Sequence, residues 1–493
     1  MFQHQHIIII TFVLYVLLMF VIGWVAWRNT QNLSDYILGG RRIGPWVAAL
    51  SAGASDMSGW LLLGLPGYAY AAGMESLWLI IGLLIGTWCN WRFIARRLRI
   101  YTDQANNALT LPAFFRQRFN DHSHVLQITS AVFILLFFMF YTSSGLVAGG
   151  KLFETVFDLP YHWAVSVGAL VIVIYTFSGG FLAVSWTDLI QGILMFAALL
   201  IVPMVGLQAT GGIESSWQSI ANKNPQLLDM FSNTQGNALG IISIISLLAW
   251  GLGYFGQPHI LARFKAIKHA DDLTLARRIA VSWSALCMLG ALLVGLAGIV
   301  YVQPELQGAD SEKVFMLLVS SLFHPVIAGV LLAAILAAIM STADSQLLVS
   351  SSALAEDFYK TLLRPQASDR ELVMVGRGAV ILVALIAYSI AMTPDSKVLD
   401  LVAYAWAGFG AAFGPTLILA LYWKRMTRNG AIAGIISGGC TVVIWKQLQG
   451  GVFDLYEIVP GFILAMLAII IVSKMSAPPD DSIQQRHEKI IAG

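Results

Sequence analysis

Apolar runs of about twenty residues follow one another along nearly the whole chain, and this restricts the protein to one kind of fold. A helix needs ~20 apolar residues to cross a bilayer. On that ruler the sequence reads as thirteen spans: 7–27, 44–73, 74–98, 125–150, 161–180, 185–209, 238–260, 276–302, 320–354, 373–393, 398–423, 430–449 and 453–473. Of the 493 residues, 58% are hydrophobic and 11% charged, with a mean hydropathy of +0.75. A soluble domain is roughly a quarter charged. No polar block between runs is large enough to fold separately. Residues 1–476 therefore read as a single all-α membrane domain of about 13 transmembrane helices, with a polar, disordered tail at 477–493 too short to be a catalytic domain.

The basic residues fix an expected orientation. Under thirteen spans, 24 of the 29 Lys and Arg fall on one side, from Arg28, Arg41 and Arg42 through Arg92–Arg99 and the Arg263–Arg278 group to Lys489. Lys151, Lys223, Lys313, Lys397 and Lys446 fall on the other. Positive charge marks the cytoplasmic side, so the N-terminus is expected outside and the C-terminus inside. The first run lacks a basic flank and a small-residue cleavage site, and is expected to persist as a span. The loops at 211–237 and 261–272 each have room for a short interfacial helix. Cys89, Cys287 and Cys440 lie far apart in apolar runs and form neither a disulfide framework nor a metal cluster.

Two runs are interrupted. Ala52-Gly53-Ala54-Ser55-Asp56-Met57-Ser58-Gly59-Trp60 places a carboxylate inside an apolar stretch that also carries Gly64, Pro66, Gly67 and Gly73. An acid at membrane depth needs a partner, a proton or a cation, and unwound backbone survives there only when buried in protein or lining a wet cavity. Trp250-Gly251-Leu252-Gly253-Tyr254-Phe255-Gly256-Gln257-Pro258 is the second interruption. Trp250, Tyr254 and Pro258 recur every four residues and are expected on one helical face, where aromatic walls suit a small ligand that is part ring and part charge, ordinary packing or an interfacial aromatic belt being the alternative. Spans two to six (44–209) and seven to eleven (238–423) each open on one of these stretches and run in opposite senses, as two inverted repeats would. The run 7–27 precedes them and 430–473 follows.

A third stretch carries oxygens. Ser341, Thr342 and Ser345 crowd around Asp344 within about a turn and a half of the ninth span. A small monovalent cation wants hydroxyl and carbonyl oxygens, and a break near Asp56 would free the carbonyls of Ala54 and Met57. Hydroxyls bonding back to their own helix, or joining helix to helix, are the ordinary alternative. Asp188 opens the sixth span, where an acid serves equally as an N-terminal cap or as a polar gate on an ion path. Tyr141 stands among small hydroxyl residues, able to reach a ligand or to serve packing alone. Enzyme signatures are missing: there is no phosphate-cradling glycine loop with lysine, no histidine–cysteine–carboxylate set at metal spacing and no nucleophile elbow.

These stretches, with Gly39-Gly40-Arg41-Arg42 and Tyr422-Trp423-Lys424-Arg425 near the ends, make the chain resemble the sodium:solute symporters over nearly its whole length. Trp250 through His259 is most similar to the branch that carries proline. The resemblance implies a LeuT-like core of two inverted five-helix repeats in a bacterial inner membrane, taking up L-proline with sodium by alternating access. It implies sodium between the carbonyls of Ala54, Met57 and Ala338 and the hydroxyls of Ser341 and Thr342, with Asp56 and Ser58 in support. Trp60, Tyr141, Trp250, Tyr254 and Pro258 would surround proline, while Asp188, Asp344 and Ser345 would form a second cation site or gate. Its expected partners are L-proline, sodium and lipid, with no nucleic acid and no cofactor beyond the coupling ion. Three other readings stay open: another solute (a carboxylate, vitamin or sugar), a coupling proton, or a sensor or channel on the same fold.

Overall fold

The structure is a computed structural model that describes residues 5–27, 33–104, 107–178, 180–393 and 396–492. Arg28, counted above among the basic loop residues, lies outside them, as do residues 1–4 and 493. The apolar runs named above are mostly helical where described, with breaks inside several of them, and no strand forms among the described residues. The main helices are α1 (Gln5–Trp27), α2 (Pro45–Asp56), α3 (Leu65–Ala72), α4 (Leu77–Cys89), α5 (Val125–Phe157), α6 (Tyr161–Ser178), α7 (Phe181–Ala209) and α8 (Ile241–Leu248). They continue as α9 (Pro258–Ala266), α10 (Leu273–Tyr301), α11 (Pro325–Ser352), α12 (Asp369–Ala391), α13 (Val398–Tyr422), α14 (Arg428–Trp445), α15 (Ile458–Met475) and α16 (Asp481–Ala492). Among the described residues nine stretches are long and apolar enough to cross a membrane, or ten when the bent α8–α9 pair counts as one. Large apolar side chains on the outer face of α1, such as Val13, Leu17 and Val21, are exposed where lipid would meet them.

Helix α11 is the axis of the molecule. Every residue from Leu331 to Leu348 is buried, which is what a helix apolar all round demands. It packs against α1, α2, α5, α7 and α12. Every residue of α2 from Val47 to Asp56 is buried as well. At Met57 the backbone leaves the helix (φ −85°, ψ 67°), and a wide turn over Trp60–Gly64 follows before α3 begins at Leu65. Pro66 near the start of α3 has no N–H to give to the turn before it.

The second interruption has a different form. Residues Ala249–Gly256 make a 3-10 helix, Gln257 is extended (φ −79°, ψ 107°), and α9 leaves at 47° to α8. Glycine is required here for close approach: a Cβ on Gly251 would strike the backbone of Gly82 in α4, and one on Gly253 would strike the Trp406 indole of α13. The loop at 261–272, expected to have room for an interfacial helix, is instead occupied up to Ala266 by α9, the second half of this broken span. The one at 211–237 does contain a short helix, Ile213–Lys223.

Two ion pairs depart from the loop picture of charge. Lys151, assigned above to an external position, is buried on α5 and bonds Glu312 at 2.5 Å. Glu312 also accepts from the amides of Val398 and Leu399 at 3.0 and 3.1 Å, capping the first turn of α13. The second, at Arg263, belongs to the site below.

The described part of the tail is helical from Asp481 to Ala492, contrary to the expectation of disorder. Ile483, His487 and Ile490 fall on one face of α16 and are buried, and Glu488 pairs with Lys424 at 2.7 Å. A polar composition hid an amphipathic period.

Candidate functional site

The break after α2 meets the middle of α11. Ser341 Oγ lies 2.8 Å from the Ala54 carbonyl and 3.1 Å from that of Ala338, and Thr342 Oγ1 lies 3.3 Å from the Ala54 carbonyl. Four of the oxygens expected to hold a cation thus converge from two helices, because the end of α2 leaves its last carbonyls without the amides of a continuing turn. Met57 sits at the break itself, fully buried, with its amide closed onto the Gly53 carbonyl at 2.8 Å. The Ser58 hydroxyl accepts from the Trp60 amide at 3.4 Å.

Asp56 ties this cluster to the aromatic residues. Its carboxylate Oδ2 accepts from the Tyr254 hydroxyl at 2.7 Å, while Oδ1 has no hydrogen-bond partner. Its backbone carbonyl accepts from the Tyr141 hydroxyl at 3.1 Å and the Trp60 indole at 3.2 Å. Three of the five residues expected around the substrate therefore hold one residue, and all three are fully buried or nearly so.

Trp250 and Pro258 do not join them. Three residues per turn, in place of 3.6, rotate a four-residue spacing off one face. Trp250 accordingly stacks on Tyr456 of the loop before α15, with ring centroids 5.4 Å apart. Pro258, beyond the bend, lines a narrow cavity of about 30 Å³ together with Arg263, Lys265, Thr110 and Asp357. The place beside Tyr254 belongs to Trp406, edge-on at 5.0 Å, whose indole donates to the Trp250 carbonyl at 2.7 Å.

Asp188 does not cap its helix. Helix α7 starts at Phe181 on Gly180, so Asp188 stands two turns inside and fully buried. Its Oδ2 accepts from Ser51 at 2.6 Å and from Arg263 at 2.9 Å. The Arg263 guanidinium also donates to Ser51 at 3.0 Å, to the His259 carbonyl at 2.9 Å and to Ser345 at 2.5 Å. It thereby joins α2, α7, α9 and α11. Ser345 Oγ is 3.3 Å from Asp344 Oδ1, and the remaining oxygens Asp188 Oδ1 and Asp344 Oδ2 have no partner. Two acids face one guanidinium here, an imbalance that calls for a proton or a further cation.

Ser51, Arg263, Trp406 and Tyr456 were not legible as site residues. Arg263 had a signal: it lies five residues after Pro258, inside the second turn of any helix begun there, and so too deep for a loop charge.

Comparison with known proteins adds three findings. A family model described as "Sodium:solute symporter family" matches residues 36–438. The chain is 53% identical to the sodium/proline symporter of Salmonella typhimurium, covering 98% of this chain and 95% of that one. It is 51% identical to the sodium/proline symporter of Escherichia coli (97% and 95%) and 50% identical to the osmoregulated proline transporter OpuE of Bacillus subtilis (96% and 95%). Among solved structures it is similar to a substrate-bound, outward-open Na+-coupled sialic acid symporter, with a TM-score of 0.80 over 96% of this chain and 99% of that one at 20% identity. That likeness gives the LeuT-like fold class.

Proposed function

This chain belongs to the sodium:solute symporter family, and we propose that it imports L-proline with sodium by alternating access. The observation that carries the reading is the shared break. Ala54, two residues before Asp56, meets the hydroxyls of Ser341 and Thr342, while Asp56 itself holds Tyr254, Tyr141 and Trp60. Sodium would take the carbonyl oxygens of Ala54, Met57 and Ala338 and the hydroxyl oxygens of Ser341 and Thr342, with Asp56 and Ser58 supporting that arrangement. The hydroxyl protons that now face carbonyls would turn away. Fixing the broken segment in this way also fixes the aromatic residues bonded to it, so each ligand tightens the other by the same factor.

The driving force suffices. One charge moving inward at ~100 mV supplies ~2.3 kcal/mol, and a tenfold sodium gradient adds ~1.4 kcal/mol. Together they sustain a proline gradient of a few hundredfold. The excess acid at Asp188 and Asp344 favours a second cation held with Ser345. Residues 44–209 and 238–423 would be the inverted repeats, in a bacterial inner membrane with the N-terminus outside and the C-terminus in the cytoplasm.

Purified protein in liposomes, given labelled proline and an inward sodium gradient, tests the reading. Accumulation above equilibrium that collapses when sodium is replaced at fixed membrane potential is the expected result. Accumulation driven equally by a proton gradient would assign the coupling to H+, and stronger inhibition by a carboxylate, vitamin or sugar than by proline would reassign the solute. Equilibration without accumulation would replace the carrier with a channel.

A further inference from the structure

We infer that His259 receives the carboxylate of the transported solute, an assignment that rests on the reading of the chain as a proline carrier. His259 is completely buried, and neither Nδ1 nor Nε2 has a hydrogen-bond partner. A neutral imidazole carries one donor and one acceptor, and native structures rarely bury both without a use for them. The ring is flanked edge-on by Tyr141 at 5.7 Å and Phe138 at 5.8 Å, two apolar faces. Its backbone is held in place, since the His259 carbonyl takes a hydrogen bond from Arg263. The free imidazole is therefore set rigidly at the aromatic cluster with nothing of the protein to bond.

Three neighbouring features decide which end of a zwitterion it meets. His259 occupies the second position of α9, behind Gln257 and Pro258, so it stands at the positive end of a half-helix. Across Tyr141, whose hydroxyl bonds the Asp56 carbonyl, the Asp56 Oδ1 atom is likewise buried without a partner. Gln257 is held by its amide nitrogen to the Gly253 and Trp406 carbonyls at 3.1 and 3.3 Å, which leaves Oε1 as a further free acceptor. The cluster thus offers free acceptors at Asp56 and Gln257 for a secondary ammonium, and one free N–H at the imidazole. A carboxylate is the part of proline that needs that donor.

The test compares L-proline with L-prolinamide, which keeps the ring and the amine but carries no negative charge. Binding of both to purified protein at saturating sodium is measured for the unaltered chain, for His259→Leu and for His259→Gln, which retains a donor and an acceptor. In His259→Leu proline should weaken by about tenfold or more, the loss expected when a hydrogen bond to a charged group is removed. Prolinamide should hold its affinity, so the preference between the two collapses. His259→Gln should retain most of the preference. Equal weakening of both ligands in His259→Leu, or no change in their ratio, would overturn the assignment of His259 alone. An unaltered chain that binds neither ligand in sodium would instead overturn the substrate reading.

Discussion

Arg263→Met removes the one guanidinium that joins α2, α7, α9 and α11. The structure sets the size of the loss. A buried ion pair to Asp188 at 2.9 Å disappears, with three further hydrogen bonds to Ser51, Ser345 and the His259 carbonyl. Asp188 is then left buried with only the Ser51 hydroxyl. Breaking one partner of a buried pair costs about 3–5 kcal/mol, because an uncompensated charge remains. For a chain of 493 residues, unfolding with an entropy of about 1 kcal/mol/K, that corresponds to a fall of roughly 3–5 °C in the melting midpoint. Adding Asp188→Asn removes the stranded charge, so Arg263→Met with Asp188→Asn should recover at least half of the loss. Thermal melting of the purified variants in detergent, monitored by tryptophan fluorescence, reads both effects. A midpoint unchanged in Arg263→Met, or a double variant less stable than either single one, would refute the reasoning.

Ser341→Ala and Thr342→Ala should each raise the sodium concentration for half-maximal proline uptake by about tenfold, the worth of roughly 1.4 kcal/mol for one lost oxygen; unchanged sodium curves would remove these hydroxyls from the ion site. Glu312→Gln weakens both the pair with Lys151 and the cap on Val398 and Leu399, and should lower the melting midpoint more than Glu305→Gln, whose pair with Lys223 is half exposed. His487 should make the docking of α16 sensitive to acid. Burial, and then the Arg118 and Arg97 guanidiniums and Lys424 against the opposing Glu488, push its imidazole down to about 4 from the usual 6.5. The docked helix thus binds fewer protons than the free one, so docking is full above pH 6.5 and is lost as pH falls toward 4. Protease cleavage after Ser476 should rise across that window, and in His487→Leu it should not.

The two broken spans were legible because glycine and an acid stand out against lipid-soluble sequence. That the Asp56 stretch and the Ser341 stretch meet is the expectation of a small cation's demand for carbonyl and hydroxyl oxygens, and the Ala54 carbonyl and Ser341 hydroxyl do meet. What failed was geometry finer than helix or break. A four-residue period shares one face only at 3.6 residues per turn, yet Ala249–Gly256 winds at three, which sends Trp250 to Tyr456 and leaves Tyr254 beside Trp406. Position along the chain places Lys151 and Arg263 in loops, although their partners, Glu312 and Asp188, hold them inside. Those partners lie 161 and 75 residues away, a separation no local pattern encodes. The tail gave composition without depth: Ile483, His487 and Ile490 acquire meaning only once a surface on the Ala95–Gln104 helix is there to receive them.

The most direct measurement is proline binding to purified protein, titrated with and without sodium, beside sodium binding titrated with and without proline. If one broken segment carries both sites, saturating sodium should tighten proline by about 5–150-fold, and saturating proline should tighten sodium by that same factor. Asp56→Ala should abolish most of the effect in both directions. Affinities for proline and sodium that ignore one another in the unaltered chain would contradict the account.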